Sequence, residues 1–368
     1  MVTLGEQART VLVLGAGFTH AFVPEAPLLI GDFGAKLLAR KFQKFPHATR
    51  VLDAETGGRS GREMNIERLM TRLDGRMPYD SQHGAQSELS LLLKMLKEHF
   101  VRRVTDAREN RTQDDDFERL AKCCVENAIS CVTFNYDDVF DQTLWEAQRL
   151  TFVPPPGTKY WHPDGGYGFF CRGSFMAIRE TGLSMDRTSM LLLKLHGSLN
   201  WRTKLGTRQP HSIDNIVHHE DWMPIAAVAE LTEFDVPAIE RHLNPDPLIV
   251  PPVLVKSNLV DEPVLQLVWS LAYKELEKAE RVIFIGYSFP VTDMAARFLF
   301  SETLLRTKER PEIKVVNLKR TADEKEGLMR AYREVFPHIH DDQFDFRDAR
   351  DWSRDFISAA TDSEAVSG

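Results

Sequence analysis

The residues best suited to chemistry in this chain occur in five short motifs, each of which follows an apolar, β-branched run. In chain order the motifs are Gly15-Ala16-Gly17-Phe18-Thr19, Asn135-Tyr136-Asp137, His196-Gly197, Gly286-Tyr287-Ser288 and Asn317. Glycine turns let a backbone approach a diphosphate closely. An imidazole exchanges protons near neutral pH, and carboxamide and carboxylate groups hydrogen-bond hydroxyls or water. The residue types therefore indicate nucleotide binding combined with proton transfer.

Each motif also has an ordinary structural interpretation when it is taken alone. The first glycine turn has His20 where a dinucleotide fingerprint has its third glycine, so it is also compatible with a tight turn that binds nothing. A single His196 is commonly a core histidine, and a single Asn135 is commonly a turn residue. Their positions favour function, because the carboxyl ends of the strands in an open α/β sheet share the edge where ligands bind. Five motifs at that edge, with Asp293 a few residues after the fourth, predict a dinucleotide pocket that contains a titratable group.

The strands that must position these motifs are continuous apolar runs, which is typical of strands buried on both faces of a parallel sheet. Six runs fit this description: Thr10–Leu14, Ile129–Phe134, Leu191–Leu195, Leu248–Val250, Arg281–Ile285 and Ile313–Leu318. Most of them precede apolar residues at helical spacing, in Phe33–Phe42, Val139–Arg149, Pro263–Ala279, Ala295–Arg306 and Ala322–Val335. Alternating strands and helices predict the α/β class, with a Rossmann-like, doubly wound parallel sheet of about six strands.

The remaining segments interrupt this alternation and are predicted as additions to the core. Residues 43–127 are predicted as a helical insertion, because Met64–Leu73 and Glu88–Val104 have amphipathic helical patterns. Residues 201–244 are mixed and are predicted as an irregular insertion, and residues 351–368 as a C-terminal tail. The Rossmann-like core is then formed by residues 1–42, 128–200 and 245–350.

The composition is that of an ordinary globular protein and excludes several classes. The 368 residues are 43% hydrophobic and 27% charged, which excludes a mainly disordered or fibrous chain. A net charge of −8 disfavours direct binding of nucleic acid through phosphate neutralisation. The sequence has no apolar run of about 18 residues and no signal-peptide pattern, so we expect a cytoplasmic protein without a membrane span. The four cysteines form no Cys-x-x-Cys pair, so we expect buried free thiols and no metal site.

The first three motifs resemble those of the sirtuin family. Gly15-Ala16-Gly17-Phe18-Thr19 resembles the Gly-Ala-Gly-x-Ser/Thr segment with which the sirtuin fold begins. Asn135-Tyr136-Asp137 resembles the Asn-x-Asp that sirtuins place beside nicotinamide. His196-Gly197 is similar to the catalytic His-Gly pair of the family.

The last two motifs extend the resemblance in the same chain order. Gly286-Tyr287-Ser288 resembles the Gly-Thr-Ser segment that contacts the cofactor, and Asn317 resembles the asparagine at the adenine-side ribose. Motifs from residue 11 to residue 318 take part, through about 20 positions. The resemblance implies that NAD is bound, as a substrate.

Two departures separate this chain from the deacylase sirtuins. Those enzymes carry a zinc module with two Cys-x-x-Cys pairs after the catalytic histidine, and this chain has none. They also carry a Gly-x-Pro-Asp-Phe-Arg loop, whereas the nearest stretch here is Ile30-Gly31-Asp32-Phe33-Gly34, without the arginine. With the insertion at 43–127, the pattern resembles the bacterial sirtuin-like proteins of anti-phage defence, which hydrolyse NAD.

The resemblance also implies a role for each site residue. His196 would be a general base, Asn135 would position water or the ribose hydroxyls, and Asp137 would bind the nicotinamide carboxamide. Cofactor-binding roles fall to two groups, one at the diphosphate and one at the adenosine half, with Asp32 at a ribose. The first group is Gly15, Ala16, Gly17 and Thr19, and the second is Gly286, Ser288 and Asn317.

Alternatives to hydrolysis remain open from the sequence. The same cleft would serve an NAD-dependent protein deacylase, an ADP-ribosyltransferase or a non-catalytic nucleotide sensor. An NADase needs control, so we expect a homo-oligomer or a companion defence protein of an NTPase/helicase-like or Argonaute-like kind. The insertion at 43–127 is the segment we expect to form such an interface, although it would equally serve as a lid or scaffold.

Overall fold

The computed structural model of the chain describes residues 9–24, 115–148, 158–173, 189–208, 210–218, 243–244, 247–250, 261–290, 293–305 and 310–367, with Ala26, Thr71 and Arg102. The strands in these ranges are β1 (Thr10–Leu14), β2 (Ser130–Thr133), β3 (Arg172–Gly173), β4 (Leu192–Lys194), β5 (Trp201–Thr203), β6 (Ile216–His218), β7 (Arg281–Ile285), β8 (Glu312–Val316) and β9 (Phe344–Asp345). The helices are α1 (Ala16–Phe22), α2 (Asp115–Glu126), α3 (Val139–Ala147), α4 (Pro163–Gly166), α5 (Pro263–Glu277), α6 (Met294–Leu304), α7 (Ala322–Val335) and α8 (Ala349–Ser367).

A six-stranded parallel sheet forms the centre of the molecule and confirms the predicted fold class. Its spatial order is β4-β2-β1-β7-β8-β9, and every neighbouring pair is parallel. Numbered along the chain, these strands follow the 3-2-1-4-5-6 order of the doubly wound nucleotide-binding fold. The order reverses between β1 and β7, and the crevice at such a reversal is where ligands bind in open α/β sheets.

The sequence predicted β1 and β7 to the residue and β2, β4 and β8 within two residues, but it was wrong about the sixth strand. Leu248–Val250 is not part of the large sheet. Instead, Ile249 forms an isolated antiparallel bridge with Gly197. The sixth strand is β9, which has only two residues. Apolar character alone does not distinguish a buried strand from a buried extended loop, and an edge strand this short has no pattern to detect.

Helices pack against the sheet through apolar stripes. Phe117, Leu120 and Cys124 bury one side of α2 in the same hydrophobic cluster as the sheet. The segment predicted as a tail is helical in the structure, because α8 covers residues 349–367 and buries Trp352 and Ile357. Within the described ranges, no helix has the length and apolarity needed to span a bilayer.

The two predicted insertions differ in how far the structure reaches them. Residues 201–218 contain β5 and β6, which form a separate three-stranded sheet with β3 in the order β3-β6-β5. Of residues 43–127, the structure describes 115–127, which contain α2, and the single positions Thr71 and Arg102. Apart from those two positions, the amphipathic segments predicted there lie outside the described residues.

Candidate functional site

Three glycines join the turns that follow β1 and β7, where the strand order reverses. The N–H groups of Gly15 and Gly17 donate hydrogen bonds to the carbonyl oxygens of Ile285 and Gly286, at 2.9 and 3.1 Å. A Cβ at Gly15 would lie 2.5 Å from the Gly286 oxygen, and a Cβ at Gly286 would lie 2.1 Å from the Phe18 nitrogen. Gly286 also has a φ of 65°, which favours glycine. Glycine is therefore required here so that the two turns can touch. The N–H groups of Gly15 and Gly17 bind carbonyl groups of the protein.

Asn135 belongs to a hydrogen-bonded chain that begins at the first of these turns. Its Nδ2 donates to the carbonyl oxygen of Gly15 and to Oγ1 of Thr19, both at 3.0 Å. The Thr19 hydroxyl in turn lies 3.3 Å from Oδ2 of Asp137 and donates to that carboxylate. The Gly15 carbonyl can only accept a hydrogen bond, and the Thr19 hydroxyl already donates to Asp137. Both contacts therefore require the amide nitrogen of Asn135, which fixes the orientation of the amide. Within the described residues, its Oδ1 accepts no hydrogen bond.

Asp137 is held from two sides. Burial raises the pKa of its carboxyl group, while the positive charge of Lys194 opposes that rise. Oδ1 also accepts a hydrogen bond from the Val139 N–H at 3.2 Å, which fixes the side chain at the start of α3. The predicted residues Thr19, Asn135 and Asp137 therefore form one connected group.

His196 lies beside the segment that carries Asn135, although 60 residues separate them in sequence. Its ring centroid is 5.2 Å from that of Phe134 and 6.0 Å from that of Tyr136, the two neighbours of Asn135. The His196 side chain is only 7% exposed. Its Nε2 lies 3.6 Å from Oδ2 of Asp293, which comes from the turn before α6.

The segment at Leu248–Val250 holds the histidine turn in place. The Val250 N–H donates to the carbonyl oxygen of His196 at 2.9 Å, and the Ser198 N–H donates to that of Leu248 at 3.0 Å. The hydroxyl of Tyr136 donates to the Val250 carbonyl at 2.8 Å. The apolar run that the sequence assigned to the sheet thus fixes the position of His196.

The residues predicted at the adenosine half have different surroundings. The Nδ2 of Asn317 donates to the Tyr287 carbonyl at 3.0 Å, so one side of this amide supports the β7 turn. Ser288, in the turn after β7, is exposed, and so is Ala16 in the turn after β1. Asp32 lies outside the described residues.

A buried polar network next to Asp137 was not predicted from the sequence. Lys194 and Asp141 are both almost fully buried and lie 3.1 Å apart, and the lysine Nζ also donates to the Asp137 carbonyl at 2.5 Å. The Tyr167 hydroxyl donates to Asp141, and Asn200 donates to the Tyr167 oxygen at 2.8 Å. One signal was present in the sequence: a lysine inside an apolar run, two residues before His196.

The described residues contain no group of three histidine, cysteine or acidic side chains arranged to hold a metal ion. All four cysteines are buried and have free thiols.

The chain matches no protein-family model and no curated protein. Among solved structures it is similar to a complex of a Sir2 homologue with NAD, with 14% identity, a TM-score of 0.42, and coverage of 96% of this chain and 90% of that one. It is also similar to a structure described for the mechanism and regulation of Sir2 enzymes, with 12% identity, a TM-score of 0.41 and coverage of 96% and 93%. A third similar structure is Sir2 with a p53 peptide and NAD+, with 13% identity, a TM-score of 0.38 and coverage of 96% and 95%. At such values the chemistry of the site has to follow from its own residues.

Proposed function

We propose that this protein is an NAD+ hydrolase that cleaves the nicotinamide–ribose bond to give nicotinamide and ADP-ribose. The observation that carries the proposal is the pairing of two groups at the carboxyl edge of the sheet. One is the hydrogen-bonded chain of Asn135, Thr19 and Asp137, and the other is the buried His196 beside it. A carboxamide oxygen and an imidazole next to the strand-order reversal suit a nucleotide whose sugar carbon is attacked by water.

In the proposed reaction, water adds to C1′ of the ribose as the bond to nicotinamide breaks. The bonding electron pair goes to the ring nitrogen, so the cationic nicotinamide leaves as a neutral molecule and needs no general acid. The transition state resembles an oxocarbenium ion and gains most from correct placement of the water. The Asn135 Oδ1 accepts a hydrogen bond from that water, His196 takes its proton, and Asp137 orients the nicotinamide carboxamide.

The nucleotide is proposed to lie across the exposed sides of the two glycine turns. Ala16 and Ser288 are the exposed residues of these turns, so the diphosphate and the adenosine half are assigned there, with Asn317 and Thr19 beneath them. The N–H groups of Gly15 and Gly17 are occupied within the protein, so these glycines contribute by shaping the surface rather than by donating to phosphate.

The biological setting that we propose rests on the sequence resemblance. An enzyme that depletes NAD suits bacterial defence against phage, provided that self-assembly or a companion protein gates it. Hydrolysis is preferred over deacylation because the sequence lacks the paired cysteines of the zinc module.

The proposal is tested by incubating the pure protein with NAD+, with and without candidate partners, and analysing the products by mass spectrometry. Nicotinamide and ADP-ribose are expected, and an added acyl-lysine peptide should remain unchanged. Substitutions His196→Ala and Asn135→Ala should each lower turnover at least about 100-fold. The matched control is His338→Ala, an exposed histidine near the opposite end of the sheet, which should retain activity. Near-normal turnover in either site variant, or deacylation of the peptide, would contradict the proposal.

A further inference from the structure

Among the contacts described above, the charged group nearest to His196 is the carboxylate of Asp293, which is distant from it in the sequence. Oδ2 of Asp293 lies 3.6 Å from the histidine Nε2, and both side chains are buried, at 7% and 3% exposure. Asp293 directly precedes α6, in the segment that follows β7, whereas His196 follows β4 at the far edge of the sheet. A buried carboxylate this close to an imidazole interacts strongly with it, because little solvent screens the pair.

Tyr287 also holds the Asp293 carboxylate. Its hydroxyl donates to the same Oδ2 of Asp293 at 3.2 Å. Burial is the main cause that raises the pKa of this phenol well above its usual range, so the hydroxyl keeps its proton and remains a donor. The Tyr287 ring stacks on Phe134, with centroids 4.6 Å apart, and Phe134 also contacts His196.

The backbone of Tyr287 is held equally firmly. Its carbonyl oxygen accepts hydrogen bonds from Nδ2 of Asn317 at 3.0 Å and from the hydroxyl of Tyr332 at 2.9 Å. Asn317 therefore supports the residue that orients Asp293. Among the described residues, Arg297 on α6 also faces this assembly: its positive charge acts on Tyr287, and it donates to the Phe289 carbonyl at 3.1 Å and pairs with Glu334 at 2.8 Å.

We propose that Asp293 is the positioning residue for His196, and that Tyr287 holds Asp293 in place. The carboxylate favours the imidazole tautomer with its proton on Nε2 and stabilises the imidazolium that forms when His196 accepts a proton. This is the arrangement by which a buried acid orients a catalytic base. The inference rests on the proposed function for the identity of the proton donor, but the pairing of the two side chains does not depend on it.

The test is an NMR titration of the His196 imidazole in the full-length protein, assigned among the 12 histidines by comparison with His196→Gln. In Asp293→Asn, which keeps the shape of the side chain, the pKa of His196 should fall by at least about one unit, because an opposite charge has been removed. Tyr287→Phe should change the same pKa by less. The matched control is Asp345→Asn, whose carboxylate pairs with Arg347 and should leave the pKa unchanged.

NAD turnover provides a separate readout. Asp293→Asn should lower kcat about 100-fold or more, shift the acidic limb of the pH profile to lower pH, and leave KM within about twofold. An unchanged pKa of His196 in a folded Asp293→Asn protein would overturn the inference. If the wild-type protein does not hydrolyse NAD but the pKa of His196 still falls in Asp293→Asn, the proposed function fails and the pairing stands.

Discussion

At the scale of single residues, the glycines at the strand-order reversal have a packing role that the sequence did not reveal. A dinucleotide fingerprint leads one to expect that Gly15 and Gly17 make room for a ligand. In the structure, a side chain at either position would press on the backbone of Gly286. Substitutions in this turn therefore change the fit between two turns before they change any contact with a nucleotide.

Gly286→Ala should destabilise the fold. The added Cβ would meet the Phe18 nitrogen at 2.1 Å in a residue whose φ is 65°, so both sterics and backbone strain oppose it. We expect the free energy of unfolding to fall by more than about 2 kcal/mol in urea denaturation. The matched control is Gly327→Ala in α7, where the new Cβ meets nothing within 4 Å and helix propensity should add about 0.5–1 kcal/mol. Equal effects of the two substitutions would refute this account.

Thr19→Val should reduce turnover with little loss of stability. The Thr19 hydroxyl accepts a hydrogen bond from Asn135 and donates one to Asp137, and the substitution removes both while it keeps the size of the side chain. Asn135 would then keep one of its two described side-chain hydrogen bonds, the one to the Gly15 carbonyl, so kcat for NAD hydrolysis should fall about 10- to 100-fold because the carboxamide is positioned less firmly. Thr19→Ser, which keeps the hydroxyl, should stay within about threefold of wild type. A normal kcat in Thr19→Val would mean that this chain does not orient Asn135.

At the scale of elements, the Lys194–Asp141 pair connects the edge strand of the sheet to the helix that follows the Asn135 segment. Lys194 ends β4 and Asp141 lies in the first turn of α3. Through Asp137 and Tyr167 the pair also reaches the site and the segment after α4. Because both charges are buried, losing one leaves the other without compensation.

Lys194→Met should therefore cost about 3–5 kcal/mol in the free energy of unfolding at pH 8. Adding Asp141→Asn, which removes the stranded charge and keeps an acceptor for Tyr167, should recover at least about half of that loss. Burial raises the pKa of Asp141 to about 6, above its unfolded value, so its protonated form favours the folded state. Its contribution to stability is present at low pH and is lost as the pH rises through 6. The penalty of Lys194→Met should accordingly be smaller at pH 5 than at pH 8, and a penalty independent of pH would contradict this assignment.

At the scale of the whole molecule, the sequence predicted what depends on local pattern and missed what depends on contacts between distant segments. Continuous apolar runs located β1 and β7. The rule that ligands bind at the carboxyl ends of parallel strands predicted that Asn135 and His196 lie at one edge of the sheet. No local pattern links Asp293 to His196, or Lys194 to Asp141, because these pairs exist only after the sheet has formed. The buried Trp352 and Ile357 of α8 were missed as well, because the small polar residues of this segment do not predict a packed helix.

The buried His162 should contribute to the acid sensitivity of the fold. His162, which is 2% exposed, accepts the Asp164 N–H on Nδ1 at 3.1 Å, and burial lowers its pKa to about 4. The unfolded chain, with a pKa near 6.5, binds more protons between these values. The contribution of His162 is therefore fully present above pH 6.5 and is lost as the pH falls towards 4.

His162→Asn keeps a helix N-cap acceptor for α4 and removes the titration. Urea denaturation at pH 4.5, 5.5 and 6.5 should give wild-type protein a steeper loss of stability than His162→Asn, by up to about 1.4 kcal/mol per pH unit. Asp141 acts in the opposite direction over the same range, since its raised pKa favours folding at low pH, so Asp141→Asn should steepen the acid loss. Parallel pH curves for wild type and His162→Asn would show that this buried ring does not control acid unfolding. The two variants together separate the histidine from the carboxylate, because their slopes change with opposite sign.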